Sequence, residues 1–88
     1  MTYMFKDCIY LTSLDLSNFN TKKVKTMEGL FYNNIRLEKI NFGNFNTESV
    51  TIMSKMFTYC ETLENLDLSN FNTKNVITMA KMFTSVKN

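Results

Sequence analysis

The tetrapeptide Asn-Phe-Asn-Thr occurs three times in this chain, and its copies are evenly spaced. They begin at Asn18, Asn44 and Asn70, so successive copies are 26 residues apart (44−18 and 70−44). A fixed period of this length is typical of repeat proteins, in which each unit buries its apolar side only when a neighbour stacks on it. The sequence therefore predicts a stack of similar units.

The period extends over the whole chain. Methionines stand in register at Met1, Met27, Met53 and Met79, and phenylalanines follow at Phe5, Phe31, Phe57 and Phe83. We therefore divide the 88 residues into a single repeat array, with repeats at 1–26, 27–52 and 53–78 and a partial repeat at 79–88.

The second half of each repeat has an apolar pattern that predicts a helix. Val24, Met27, Leu30 and Phe31 are spaced at i, i+3, i+6 and i+7, which places them on one face of an amphipathic helix. The threonine that ends each tetrapeptide, or the asparagine before it, stands where a helix N-cap is preferred. The expected helices cover residues 22–33, 48–59 and 74–85.

A short strand is expected after each helix. In the first repeat, Leu14 and Leu16 should face one side of the strand, and Ser13, Asp15 and Ser17 the other. One strand and one helix per repeat make the strands parallel. Because helices need about 8–10 Å and strands about 4.8 Å, we expect the array to curve with its sheet on the inner side.

Two motifs of this repeat occur together in a known family. The block Leu-Asp-Leu-Ser-Asn-Phe-Asn-Thr at residues 66–73 and the run Met-x-x-Met-Phe at residues 79–83 resemble the BspA-like leucine-rich repeat of bacterial surface proteins and lipoproteins. The resemblance covers the whole chain. It implies a short α/β leucine-rich-repeat solenoid with one parallel strand and one helix per repeat. It also implies a cell-surface or secreted location and binding to host proteins or other cells.

Composition and charge argue against several functional classes. The net charge of +2 comes from scattered lysines without an aromatic-interleaved basic block, so we do not expect nucleic-acid binding. No apolar run approaches the roughly 20 residues of a membrane span, and residues 1–10 lack the features of an export signal or anchor. The chain has no histidine, and no Ser or Cys nucleophile has a visible base, so we expect neither an enzyme nor a cofactor.

The two cysteines are predicted to be free thiols in the core. Cys8 and Cys60 occupy the same repeat position two units apart, a separation of at least about 10 Å. A disulfide requires Cα atoms within about 7 Å. Two cysteines without histidine also make a poor zinc site.

The inner face of the expected sheet is the candidate binding site, since curved solenoids present binding surfaces there. Asp15, Asn41 and Asp67 should form a ladder on this face, with the asparagine separating the carboxylates by about 10 Å, too far for a shared calcium site. A solvated ladder without a ligand is the alternative. The predicted binding residues are Ser13, Asp15, Ser17, Lys39, Asn41, Asn65, Asp67 and Ser69.

These observations predict a non-enzymatic protein-interaction module of the bacterial surface type, an adhesin or lipoprotein. The alternative is a structural spacer or truncated remnant with no ligand of its own. Because the chain begins and ends inside an expected helix, Met4 and Phe5 at one end and Phe83 and Val86 at the other lack a covering repeat. We therefore expect either a fragment of a longer array or end-to-end self-association.

Overall fold

The computed structural model describes residues 1–64 and 66–84. Asn65, Val86 and the last residue of the third expected helix lie outside the described residues. Within the described part, the regular elements are two short strands, β1 (Ser13–Asp15) and β2 (Lys39–Asn41), and none of these residues is helical.

The expected α/β leucine-rich-repeat solenoid with one helix per repeat is therefore wrong. The segments predicted to be helical form successive β-turns. In the second repeat, the Leu30 N–H donates to the Met27 carbonyl at 3.1 Å, and the Tyr32 N–H donates to the Gly29 carbonyl at 2.9 Å. Gly29 has φ +58°, as the third residue of a type II turn requires, and this conformation cannot continue a right-handed helix.

The other backbone donors of this segment bond to the next repeat. N–H groups of Gly29, Phe31 and Asn33 donate to carbonyls of the third repeat at 2.9, 2.9 and 2.8 Å. An α-helix would use these donors internally, whereas here they join one 26-residue coil to the next. We call this series of turns the turn run. It occupies residues 1–8, 27–34, 53–60 and 79–84.

The strands are the second place where backbone hydrogen bonds connect neighbouring coils. β1 and β2 pair in parallel, and each residue lies beside its counterpart in the next repeat: Ser13 with Lys39, Leu14 with Ile40 and Asp15 with Asn41. The predicted strands of the first two repeats are confirmed, but the described residues of the third, around Leu66, do not form one. Isolated parallel bridges also join Thr26 to Ile52 and Ile52 to Thr78.

The curvature predicted from a wide helical layer does not follow from this arrangement. Backbone hydrogen bonds join neighbouring coils both in the turn run and at the strands. Both parts therefore have the spacing of hydrogen-bonded strands, about 4.8 Å, and residues 1–64 and 66–84 contain no wider helical layer that would force the sheet onto a concave inner side.

The core contains a column of stacked phenylalanine rings. Phe5, Phe31, Phe57 and Phe83 have successive centroid distances of 6.0, 5.5 and 5.7 Å and interplanar angles of 6°, 18° and 5°. Phe31 and Phe57 are completely buried. The apolar positions predicted from the period therefore face inward in the second and third coils, although the backbone that carries them is not helical, whereas Met79 and Phe83 of the last coil are 44% and 48% exposed.

Two of the three threonines that were expected to cap helices, Thr21 and Thr47, instead connect coils. The buried Thr21 hydroxyl donates to the Asn46 carbonyl and accepts from the Asn46 N–H, both at 2.8 Å. The buried Thr47 hydroxyl makes the same pair of bonds to Asn72, at 3.0 and 2.7 Å. Each hydroxyl thus satisfies a donor and an acceptor of the next coil, and we call this arrangement a threonine staple.

Both cysteines are free, as predicted. Cys60 is buried, its thiol donates to the Phe31 carbonyl at 3.1 Å, and burial raises its pKa to about 11. Cys8 is only half-buried. In the coil between them, the same position holds a fully buried Asn34, whose Nδ2 donates to the Phe5 and Phe31 carbonyls at 2.8 Å each.

Candidate functional site

Most of the predicted binding residues lie at the surface, beside or after the strands. The exposed members are Ser13, Asp15, Lys39, Asn41, Asp67 and Ser69. Ser17 is half-buried, and Asn65 lies outside the described residues. The strand pairing brings Ser13 next to Lys39 and Asp15 next to Asn41. We call these four residues the strand face.

The acidic members of the predicted site also have a structural role. Asp15 Oδ1 accepts the Ser17 N–H at 2.9 Å, and Asp67 Oδ1 accepts the Ser69 N–H at 2.9 Å. Hydrogen bonds from the serine side chain, and then from its backbone, hold the pKa of each aspartate below its ordinary value. Asn41 accepts the N–H two residues later in the same way, at 3.1 Å. These side chains therefore stabilise the turn that follows the strand position.

A cluster of tyrosines on the turn run was not predicted from the sequence. The Tyr3 and Tyr32 rings meet edge to face at 5.9 Å, and the Tyr32 and Tyr59 rings at 5.6 Å. We call these three residues the tyrosine cluster. Tyr3 and Tyr32 are half-buried, whereas Tyr59 is 40% exposed. The cluster therefore presents an aromatic surface that extends over three coils.

Two cations accompany the aromatic residues of the turn run and the loop after it. Lys6 Nζ lies 5.6 Å from the centre of the Tyr3 ring. Arg36 Cζ lies 5.6 Å from the centre of the Tyr10 ring, which is 78% exposed. Contacts of this kind between a cation and an aromatic face are attractive. They hold Lys6 beside the half-buried Tyr3 ring and Arg36 beside the exposed Tyr10 ring.

Small and polar residues of the turn run position the cluster. Tyr3 lies against Gly29, where an added Cβ would come within 2.0 Å of the ring. Asn33 Nδ2 donates to Asp7 Oδ1 at 2.8 Å, and Lys6 Nζ lies 4.0 Å from Asp7 Oδ2. The first two coils are therefore connected beside the cluster by both packing and hydrogen bonding.

The tyrosines were missed because they are out of register with the repeat. Tyr3, Tyr32 and Tyr59 differ by 29 and 27 positions (32−3 and 59−32), so an alignment on a period of 26 places them in different columns. The sequence does contain one indication of the tyrosine cluster. Gly29 stands one period after Tyr3, and because it has no side chain it leaves room for the Tyr3 ring.

Two further observations concern metal binding and membrane spans. Across residues 1–64 and 66–84, no three His, Cys, Asp or Glu side chains come together in a group that could hold a metal ion. The same part of the chain contains no helix of the length and apolarity needed to cross a bilayer.

A stack of 26-residue coils with exposed aromatic and polar surfaces defines this chain as a repeat protein. The model of one protein family, described as "Mycoplasma protein of unknown function, DUF285", matches residues 1–88. The chain therefore belongs to this family. Comparison with curated proteins gave no match, and neither did comparison with solved structures.

Proposed function

We propose that this chain is a non-enzymatic protein-interaction module of the bacterial surface type, found in adhesins or lipoproteins, and that it binds its partner through the tyrosine cluster. The observation that carries the proposal is the ring contacts that join Tyr3, Tyr32 and Tyr59 across three coils, with Tyr59 exposed and Arg36 held against Tyr10 close by in sequence. The surface location is proposed from the resemblance of the repeat motifs to bacterial surface proteins.

The chemistry of these residues supports protein binding. Tyrosine and arginine are enriched at protein interfaces and among the residues that contribute most to affinity. The edge-to-face contacts of Tyr32 with Tyr3 and Tyr59 restrict the rings before binding, so less side-chain entropy is lost when a partner arrives.

The strand face remains a second proposed contact surface. Ser13, Lys39, Asp15 and Asn41 are exposed and adjacent, which suits them to polar contacts with a partner. We rank it below the tyrosine cluster because Asp15 and Asn41 already accept hydrogen bonds from their own turns.

A structural spacer is the alternative function. The uniform bonding between coils, including the threonine staples at Thr21 and Thr47, would suit a stiff element that separates other parts of a protein. End-to-end self-association stays a prediction from the sequence, and sedimentation of the 88-residue chain at several concentrations tests it.

The two proposed surfaces can be separated by mutation. The purified chain is used to capture proteins from cell-surface extracts, and each captured protein is then titrated with variants. Tyr59→Ala and Arg36→Gln should each weaken binding about tenfold or more, because truncating a central interface residue has an effect of this size. Lys22→Gln, an exposed cation in another part of the coil, is the matched control.

The outcomes of this titration are distinct. If Lys39→Gln weakens binding while the Tyr59 and Arg36 variants bind normally, the strand face is the contact surface. If no captured protein binds saturably, the interaction proposal is wrong and the spacer alternative is favoured.

A further inference from the structure

A polar hollow lies between the second and third copies of the tetrapeptide. It is an open depression with a volume of about 440 Å³. Its polar side chains come from Asn44, Asn46, Thr47, Glu48, Asn70 and Asn72. We call it the asparagine hollow. It is built from the turns that follow the strand positions and does not include the tyrosine cluster.

The walls of the hollow are held in place by hydrogen bonds. The Asn46 Oδ1 accepts the Glu48 N–H at 2.8 Å, and the Asn72 Oδ1 accepts the Lys74 N–H at 2.9 Å. The staple from Thr47 fixes the backbone of Asn72 to the coil below. The Asn46 and Asn72 side chains are therefore positioned before any ligand binds, which reduces the entropy that they lose on binding.

Several polar groups of the hollow are left without a protein partner. The Nδ2 groups of Asn46 and Asn72 make no hydrogen bond within residues 1–64 and 66–84, and the same is true of the whole amides of Asn44 and Asn70. Each free amide offers two N–H donors and an acceptor oxygen. The hollow thus offers both donors and acceptors, on side chains that are exposed at Asn44, Asn70 and Asn72 and half-buried at Asn46.

The charge of the lining restricts the class of ligand. Glu48 is the one carboxylate among the lining residues, and no lysine or arginine is among them. A single carboxylate is too few charged ligands for a calcium site, and it repels anions. An apolar ligand would leave the amides without hydrogen bonds, which is costly. A neutral ligand with many hydroxyl groups satisfies them, because a hydroxyl both donates and accepts.

We propose that the asparagine hollow binds a neutral, hydroxyl-rich ligand, namely a short saccharide. This site goes beyond the proposed protein-binding function, because none of its residues belongs to the tyrosine cluster or the strand face.

The first coil supplies a matched comparison. Asn18 stands at the repeat position of Asn44 and Asn70 and is likewise exposed, but it does not line the asparagine hollow. The position of Glu48 is occupied by Lys22 in the first coil (22+26=48), so the corresponding corner there is cationic. Variants at Asn18 therefore report non-specific effects of changing an exposed amide in this tetrapeptide.

The test uses the labelled 88-residue chain on an array of immobilised neutral and sialylated oligosaccharides, followed by titration of each bound glycan in solution. The wild-type chain should bind neutral glycans. Asn44→Ala and Asn70→Ala should each weaken that binding about tenfold, whereas Asn18→Ala should bind as the wild type does. Thermal unfolding of all three variants should match the wild type, since these amides make no hydrogen bonds within the described residues.

Two controls make the result decisive. Glu48→Lys, which copies the charge of the first coil, should also weaken binding, and Tyr59→Ala should leave it unchanged. The proposal is overturned if the wild-type chain binds no neutral glycan, if sialylated glycans bind better than neutral ones, or if Asn18→Ala weakens binding as much as Asn44→Ala. None of these results would contradict protein binding at the tyrosine cluster.

Discussion

Asp15, Asn41 and Asp67 occupy one position of the repeat and make the same local contact. Each accepts the backbone N–H two residues later, at 2.9, 3.1 and 2.9 Å. Asn41 shows that this bond does not require a charge. At this position the fold therefore needs an acceptor oxygen on a short side chain, which both residue types provide.

Because aspartate and asparagine both supply the acceptor, replacing the aspartates by asparagine should change how the stability of the fold depends on acid pH. Hydrogen bonds lower the pKa of Asp15 and Asp67 in the folded chain, so each carboxylate stabilises the fold above its unfolded pKa, and this contribution is lost as the pH falls through the folded value. The double variant Asp15→Asn/Asp67→Asn keeps both acceptors but cannot titrate. We expect its unfolding temperature to match the wild type at neutral pH and to fall less as the pH drops below about 4.

The measurement is thermal unfolding of both proteins between neutral pH and about pH 2. Asn41→Asp serves as the control, since it adds a third titrating acceptor at the same position and should increase the acid sensitivity. Equal acid sensitivity in the wild type and the double variant would contradict the prediction.

Among the elements that join coils, the threonine staple combines a donor and an acceptor in one buried hydroxyl. Thr21→Val and Thr47→Val preserve side-chain shape but leave the N–H and the carbonyl of the next coil without partners. We expect each variant to lose about 1–3 kcal/mol of unfolding free energy. Urea denaturation measures this loss.

Thr73 is the matched control for the staple. It has the same repeat position, but it is exposed and its hydroxyl makes no hydrogen bond within the described residues. Thr73→Val should therefore change the unfolding free energy by less than about 0.5 kcal/mol. A loss at Thr73 as large as that at Thr21 would show that the staple is not the cause.

In the second coil, the first turn of the turn run requires a glycine at position 29 mainly because the Tyr3 ring packs against it. Lys55 and Lys81 have φ 59° at the same repeat position, so side chains are tolerated there at a modest conformational cost. At Gly29, however, an added Cβ would meet the Tyr3 ring at 2.0 Å. We expect Gly29→Ala to lose at least about 1–2 kcal/mol of stability and to displace Tyr3.

A double variant separates the two contributions to this loss. In a Tyr3→Ala background the ring is absent, so Gly29→Ala should retain only the cost of the left-handed conformation. Urea denaturation of the four proteins in the cycle gives the coupling between the two sites. A coupling of zero would contradict a role for the contact with Tyr3.

For the whole molecule, the bonding of backbone groups between coils predicts the form of the far-ultraviolet circular dichroism spectrum. A solenoid with one helix per repeat would show the far-ultraviolet circular dichroism of helices. The structure predicts no helical minima, because the donors of Gly29, Phe31 and Asn33 bond to the next coil. Amide exchange should show these three N–H groups protected, and a strongly helical spectrum would contradict the fold.

The arrangement into coils could be predicted from the sequence, but the backbone of the turn run could not. Spacings of three residues, as between Met27 and Leu30, place side chains on one face of a helix and equally on one side of a series of turns. The informative residues were Gly29, in the middle of the expected helix, and Asn33, at its end. Both adopt positive φ values, 58° and 61°, which these residue types tolerate best.

The candidate surfaces were predictable to different degrees. Exposure of the strand face follows from alternation along a strand, and the structure has Ser13 and Asp15 exposed as expected. The bond from Ser17 to Asp15 depends on the turn geometry and not on the period. The contact of Tyr32 with Tyr3 and Tyr59 joins residues out of register, so only the stacked coils reveal it.

The pairing of each position with the one 26 residues later also determines which changes of chain length the molecule can accept. An insertion of one residue ahead of Phe31 would move its ring out of the phenylalanine column and shift the later residues of that coil out of register with their neighbours. Insertion of a complete 26-residue unit preserves every column, every staple and every bond between coils. Gain or loss of a whole repeat is therefore compatible with this structure, whereas an insertion of one or two residues within a coil disrupts it.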